Sequence, residues 1–255
     1  MNNFLELVFL FSVAFVGGFS NTIIGGGWFI VFPGLIYRGL LPVFSNATTM
    51  LSLWTGHVFT SNTETKALRV YLPQLKYMIL SCASGGFLGA ILVVIMPHAV
   101  FEHVGPFLLL GSFLLFTCYG KILNFVVTRI VTVTEFKYSH ATLVPLFFLG
   151  VYGGYFGAGM GMVIFLLYRS YGIRNTIVLD KLASILVSVN AGIALIVYAC
   201  SGMIIWTFVP VLITGSVLGG YLGRLAGKKV SGVIIKRVMI GIGAIVTLYF
   251  LNLVI

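Results

Sequence analysis

The stretch GGFSNTIIGGGWFIVFPG, Gly17 to Gly34, decides how this chain folds. It lies inside one apolar run from Phe4 to about Tyr37, which at about 1.5 Å per residue is too long for one simple bilayer crossing. Glycine is unfavourable in a helix interior, so Gly25, Gly26 and Gly27, followed by Pro33, predict an interrupted helix. Broken backbone inside a membrane is tolerated only where it is buried in protein or lines a cavity. Exposed amides at the start of a half-helix attract anions through hydrogen bonds and the helix dipole, and Ser20, Asn21 and Thr22 add side-chain donors. Gly25, Gly26 and Gly27, with Asn21 and Thr22, are therefore candidate anion-binding residues. The competing reading is close helix packing through small residues.

Working outward, seven further apolar runs follow: about 42–60, 75–96, 101–127, 141–168, 177–200, 203–225 and 233–255. Hydrophobic residues make up 60% of the 255 residues, charged residues only 8%, and the mean hydropathy is +1.13. A soluble domain carries about 25% charged residues, so most of the outer surface must face lipid and the chain is expected in the cell membrane. The net charge of +10 would suggest nucleic acid in a soluble protein, but the basic residues lie mostly between apolar runs, where the positive-inside rule puts them. Nucleic acid is not an expected partner. The N-terminus lacks a basic region before its apolar run, so no cleaved signal peptide is expected. Cys82, Cys118 and Cys200 fall singly in or beside apolar runs and read as small buried residues, neither a disulfide framework nor a metal clip.

The two halves repeat. Gly17, Gly26 and Gly39 match Gly150, Gly159 and Gly172 at a constant offset of 133, and GGFLG at Gly85 matches GGYLG at Gly219 at an offset of 134. Each half reads as a glycine-broken segment followed by three ordinary ones: residues 1–127, a cytoplasmic linker 128–140, and residues 141–255. The second break, YGGYFGAGMG from Tyr152 to Gly161, offers Gly157, Gly159 and Gly161 as the counterpart of the first. It is not a dinucleotide fingerprint, because no strand precedes it. Three loops are basic, around Lys66, Arg69 and Lys76, around Lys121, Arg129 and Lys137, and around Arg224, Lys228, Lys229, Lys236 and Arg237. The turns at Pro97 to His103 and at Ser201 contain neither Lys nor Arg. All three basic loops fall inside only if each broken segment enters the membrane and returns. The two halves then have opposite topology, both termini lie outside, and the broken helices meet near the midplane, the inverted-repeat design of many transporters. The fold class expected is an all-α polytopic membrane protein of two inverted repeats.

The second segment places Asn46 and Thr49 on one helical face, with Leu53 less closely aligned, and both are candidate substrate contacts; their alternative is back-bonding to the helix. His57 reads as a residue near the interface or, less often, a proton relay. The sixth segment opens with Asp180 and Lys181. An ionisable residue in a span suggests function by default, so Lys181 is a candidate for attracting an anion, against pairing with Asp180 or snorkelling to the interface. The scarcity of intramembrane carboxylates disfavours a cation carrier, and the absence of a zinc motif, a P-loop or a nucleophile elbow gives no basis for an enzyme, a catalytic residue, a metal or a cofactor.

These motifs together resemble the sulfite exporter TauE/SafE family of membrane transporters, also called the toluene-sulfonate uptake permease family. The resemblance spans nearly the whole chain. It rests on GGFSNTIIGGGWFIVFPGLIYRG from Gly17, SNATTM from Ser45, GGFLGAILVVIMPHAVFEHVGPFLLL from Gly85, GVYGGYFGAGMG from Gly150, and SGMIIW from Ser201 followed by GGYLGRLAGKKV. It implies alternating-access transport of a small sulfur-containing or carboxylate anion, such as sulfite, thiosulfate, a sulfonate or sulfoacetate. A passive anion channel and a non-transporting membrane scaffold are the alternatives. Expected partners are that anion and the lipid bilayer, with a homo-oligomer left open. The chain departs from the resemblance at Leu179-Asp180-Lys181, where many relatives carry Asn or Thr before the lysine; an acidic neighbour weakens the pull of Lys181 on an anion.

Overall fold

The computed structural model describes residues 3–60, 72–130, 142–227 and 232–252. Lys66, Arg69, Lys137, Lys228, Lys229 and most of the expected linker 128–140 lie outside the described residues. The elements are all helical: α1 (Asn3–Ile24), α2 (Trp28–Tyr37), α3 (Pro42–Thr60), α4 (Leu72–Ile95), α5 (His98–Phe125), α6 (Leu143–Tyr155), α7 (Met160–Ser170), α8 (Thr176–Cys200), α9 (Val209–Ala226) and α10 (Gly232–Asn252). A π-helical turn, Val126–Ile130, extends α5. Among the described residues, five helices, α1, α4, α5, α8 and α9, are long and apolar enough to cross a bilayer. Large apolar side chains such as Phe4, Leu80, Phe148 and Ile245 are exposed, whereas Asn46, Thr48, Thr49, Ser52 and Asn190 are buried. A surface of this kind is stable only against lipid, and the chain is a multi-pass helical membrane protein.

Both expected breaks are present. The first separates α1 from α2 at 25–27, and the second separates α6 from α7 at 156–159. Pro33 does not break the chain further: it sits inside α2, which runs through it to Tyr37. The seventh apolar run becomes helical only at Val209, because turns occupy 201–208.

The chain divides into two compact units. The first joins 1–61, 93–113 and 198–255, and the second joins 62–92 and 114–197. The first therefore holds α1, α2, α3, α9 and α10, and the second holds α4, α6, α7 and α8, with α5 divided between them. In the first unit α1 and α2 form an antiparallel hairpin. Glu6 near the start of α1 makes an ion pair with Arg38 after the end of α2. Phe9 lies 5.7 Å from Tyr37, centroid to centroid, and Gly34 abuts Val13. Helix α2 ends in a Schellman turn at Gly39, φ +84°, with the Gly39 amide donating to the Ile36 carbonyl and the Leu40 amide to the Leu35 carbonyl. The same turn recurs 133 residues on. Gly172, φ +97°, ends α7, its amide donating to Arg169 and that of Ile173 to Tyr168.

Glycine faces bring helix pairs into backbone contact within each unit. In the first, a Cβ on Gly219 would run into the Phe15 carbonyl and one on Gly223 into that of Phe19, so α9 lies directly on α1. In the second, a Cβ on Gly85 would run into the Phe147 carbonyl and one on Gly89 into that of Val151, so α4 lies directly on α6. Residues 85 and 89 correspond to 219 and 223, and 147 and 151 fall 132 positions after 15 and 19. The sequence repeat is thus also a repeat of packing: the entering half of each broken segment is held by the glycine-rich helix of the other half of the sequence.

Candidate functional site

Around the first break the backbone turns on Gly25, φ +80°, whose amide donates to the Asn21 carbonyl at 3.0 Å. The Gly26 carbonyl accepts from Phe29 and that of Gly27 from Ile30 and Val31, which starts α2. Gly26 and Gly27 are buried, and Asn21, Thr22 and Gly25 are partly buried. Gly27 is tightly packed: a Cβ there would lie 2.6 Å from the Gly17 carbonyl oxygen and 2.8 Å from both the Asn21 Cβ and the Leu53 side chain. The Thr22 hydroxyl donates to its own helix, to the Gly18 carbonyl at 3.1 Å. At Gly27, close packing is therefore what demands glycine.

Leu53 brings α3 to this break. Asn46 and Thr49 lie about two turns and one turn earlier on a similar face, and both are 0% exposed. Among the described residues the Thr49 hydroxyl has no hydrogen-bond partner, unlike that of Thr55, which bonds back to Leu51 and Ser52. The neighbouring face of α3 is knitted to α9: the Ser52 and Ser216 hydroxyls lie 2.6 Å apart, Ser52 donates to the Leu212 carbonyl, and Ser216 to that of Ala14. At the positions that match Asn46, Thr49 and Leu53 by the 133-residue offset, α8 carries Leu179, Leu182 and Leu186, all in an apolar cluster. Polar residues thus replace leucines on one copy of this face only.

The second break is held differently. Gly157 (φ +84°) and Gly159 (φ +75°) both adopt left-handed backbone. Tyr152 spans the break, its hydroxyl donating to the Ala158 carbonyl. Gly161, in the first turn of α7, has room: a Cβ there would meet only the Val187 methyl, at 3.6 Å. Lys181, partly buried, lies six residues before Val187 on α8, about 9 Å along the axis from the level of Gly161, so the lysine and the break glycines are not gathered at one point. Asp180 beside it is exposed. Asn190 lies further along α8. It is 1% exposed, and its Nδ2 donates to the Cys82 carbonyl at 2.9 Å and the Gly150 carbonyl at 3.0 Å, joining α8 to α4 and α6. Only its polarity in an apolar run hinted at this. Among the described residues no three His, Cys, Asp or Glu side chains gather as metal ligands.

Lipid-facing walls around interrupted helices and a buried polar face are the make-up of a membrane transporter. The comparisons agree: the chain belongs to the sulfite exporter TauE/SafE family, whose model matches residues 10–250. It is 30% identical over 237 residues, 92% of this chain and 88% of the relative, to a protein of Sinorhizobium sp. called probable membrane transporter protein ORF9. It is 27% identical over 217 residues (85% and 83% of the two chains) to a probable membrane transporter protein of Haemophilus influenzae. To the probable membrane transporter protein YfcA of Escherichia coli K12 it is 26% identical over 226 residues, 88% and 82%. No solved structure matches the chain. The chain is a membrane transporter, and a bacterial inner-membrane location fits it.

Proposed function

We propose that this transporter is a secondary carrier that moves a small sulfur-containing or carboxylate anion, of the sulfite, thiosulfate, sulfonate or sulfoacetate class, by alternating access. The observation that carries the reading is the pair of helix breaks. Each break starts a new half-helix, α2 at Trp28 and α7 at Met160, and the positive end of a helix dipole suits an anion. Asn46 and Thr49 add side-chain donors near the first break, and Lys181 supplies a positive charge that draws the anion toward α8. The sequence holds no nucleotide-binding motif, so the driving force is a gradient. Moving one negative charge outward gains about 2.3 kcal/mol per 100 mV of inside-negative potential, whereas uptake requires a coupled ion.

The proposed topology puts both termini outside and the basic loops inside. The α1–α2 hairpin supports it, because a segment that enters and returns leaves Arg38 outside, where its charge is balanced by Glu6. The corresponding turn after α7, with Arg169 and Arg174, then lies inside. Purified protein in liposomes tests the function. A carrier gives saturable flux of labelled sulfite, thiosulfate or sulfoacetate and counterflow when unlabelled anion is preloaded. Flux that rises linearly with concentration and shows no counterflow makes the protein a channel, and no flux of any of these anions refutes the substrate class.

A further inference from the structure

Arg38 is set apart from the other cations of this chain. Of the 15 Lys and Arg residues, it is the one that the proposed topology leaves outside, against the trend of the positive-inside rule. It caps the end of α2, its amide donating to the Gly34 and Leu35 carbonyls at 3.3 and 3.1 Å. The left-handed Gly39 follows, so the side chain projects from a fixed turn. Its guanidinium meets Glu6, in the first turn of α1, through Nη2 and one carboxylate oxygen, Oε1. Nε, which shares the bidentate edge of the guanidinium with Nη2, is buried and has no hydrogen-bond partner among the described residues. The helix dipoles favour an acid at Glu6 and a base at Arg38, which accounts for the two charges. It does not account for a donor edge left half used.

A carboxylate or a tetrahedral oxyanion accepts from both donors of such an edge. Room for one is shown by the Glu6 carboxylate, which already occupies the place. Access is shown by the partial exposure of the two side chains, 22% for Arg38 and 20% for Glu6. We infer that Arg38 is the outer docking residue for the transported anion, and that Glu6 holds the seat as a tethered stand-in for the anion's carboxylate or sulfonate group. The seat rests on the ion pair; the ligand class and the outer side rest on the carrier and topology proposed above. An anion that displaces Glu6 gains a two-point contact with the guanidinium. The returning Glu6 carboxylate then releases it toward the first break, about 15 Å away along α2, so the seat concentrates anion without trapping it.

The test is a pair of substitutions with opposite expected signs. Purified full-length parent, Glu6→Gln and Arg38→Gln are titrated with thiosulfate and with sulfoacetate, the thermal midpoint is read against concentration, and counterflow is measured in liposomes. Glu6→Gln removes a partly exposed competitor and should lower the half-saturating anion concentration about two- to fivefold. Arg38→Gln removes the charged fork and should raise it about tenfold or more. Arg38→Lys, which keeps the charge without the fork, should fall between parent and Arg38→Gln. A purely structural clasp gives no tightening in either variant, so an unchanged or weaker response in Glu6→Gln overturns the seat, even if Arg38→Gln fails to fold. A midpoint rise with phosphatidylglycerol but with neither soluble anion also overturns it, the pair then facing a lipid phosphate. Parent-like response and counterflow in Arg38→Gln overturn the seat and leave the carrier standing. A tighter response in Glu6→Gln with no counterflow in any protein keeps the seat and removes the carrier. No response to either anion in any protein overturns both.

Discussion

Replacing Thr49 by valine separates a structural hydroxyl from a functional one. The two side chains have nearly the same shape, so the change swaps an oxygen for a methyl in a site that is 0% exposed. The Thr49 hydroxyl has no partner among the described residues, and a buried unsatisfied hydroxyl costs on the order of 1–3 kcal/mol. The matching position on α8 is Leu182, fully buried in an apolar cluster, so the fold accepts an apolar side chain at this register. Thr49→Val should stabilise the protein by about 1 kcal/mol, which raises the thermal midpoint by about 2–4 °C for a chain of this size. If the hydroxyl is a ligand to a charged substrate, its loss removes a hydrogen bond of about 1.5–3 kcal/mol, and substrate affinity falls roughly 10- to 100-fold. The assay is the thermal midpoint as a function of anion concentration, with counterflow alongside. A variant that is more stable and binds the anion as tightly as the parent refutes the ligand role. A variant less stable by 1 kcal/mol or more refutes the premise that the hydroxyl is unpaired.

Four further outcomes are expected. Gly161→Ala meets only the Val187 methyl at 3.6 Å, so it should express and melt like the parent, and reduced anion response in counterflow would then report on the amide face of α7. Gly39→Ala has open space around it but keeps φ +84°, so it should lower stability by about 1–2 kcal/mol from backbone strain alone, read as a drop in thermal midpoint with anion affinity unchanged. Lys181→Ala should weaken anion binding several-fold with normal expression while Lys181→Arg retains part of it; wild-type affinity in the alanine variant would make Lys181 an interface anchor. With the three native cysteines replaced, Lys228→Cys should resist an impermeant thiol reagent applied outside intact cells, and labelling from outside would sink the proposed topology.

The helices were largely legible because long apolar runs and glycine clusters carry their own boundaries. The breaks at Gly25 to Gly27 and at Gly157 to Gly159 follow from the poor fit of glycine to a helix interior. Pro33 misled because a proline within an apolar run reads as a break, whereas α2 runs through it from Trp28 to Tyr37. Site residues were less legible. A glycine needed for packing and one needed for ligand access look alike in sequence, and only the neighbours of a Cβ at Gly27 and at Gly161 tell the two apart. Asn190 was undervalued because its partners, the Cys82 and Gly150 carbonyls, lie 108 and 40 residues away, beyond any local pattern.

The glycine seam between α1 and α9 also sets an order of assembly. Ser216 reaches the Ala14 carbonyl across 202 residues of chain, and the Phe15 and Phe19 carbonyls have no covering backbone until Gly219 and Gly223 have been made. During synthesis α1 must therefore wait beside lipid until α9 has been made. The second unit ends at Val197 and can close while the ribosome is still working. A chain stopped after Val197 should therefore contain a complete second unit and an α1 whose narrow, small-residue face is open to lipid or to another copy of α9. A separate chain that carries α9 and α10 supplies what such a chain lacks, so the two fragments have the means to complement one another in trans.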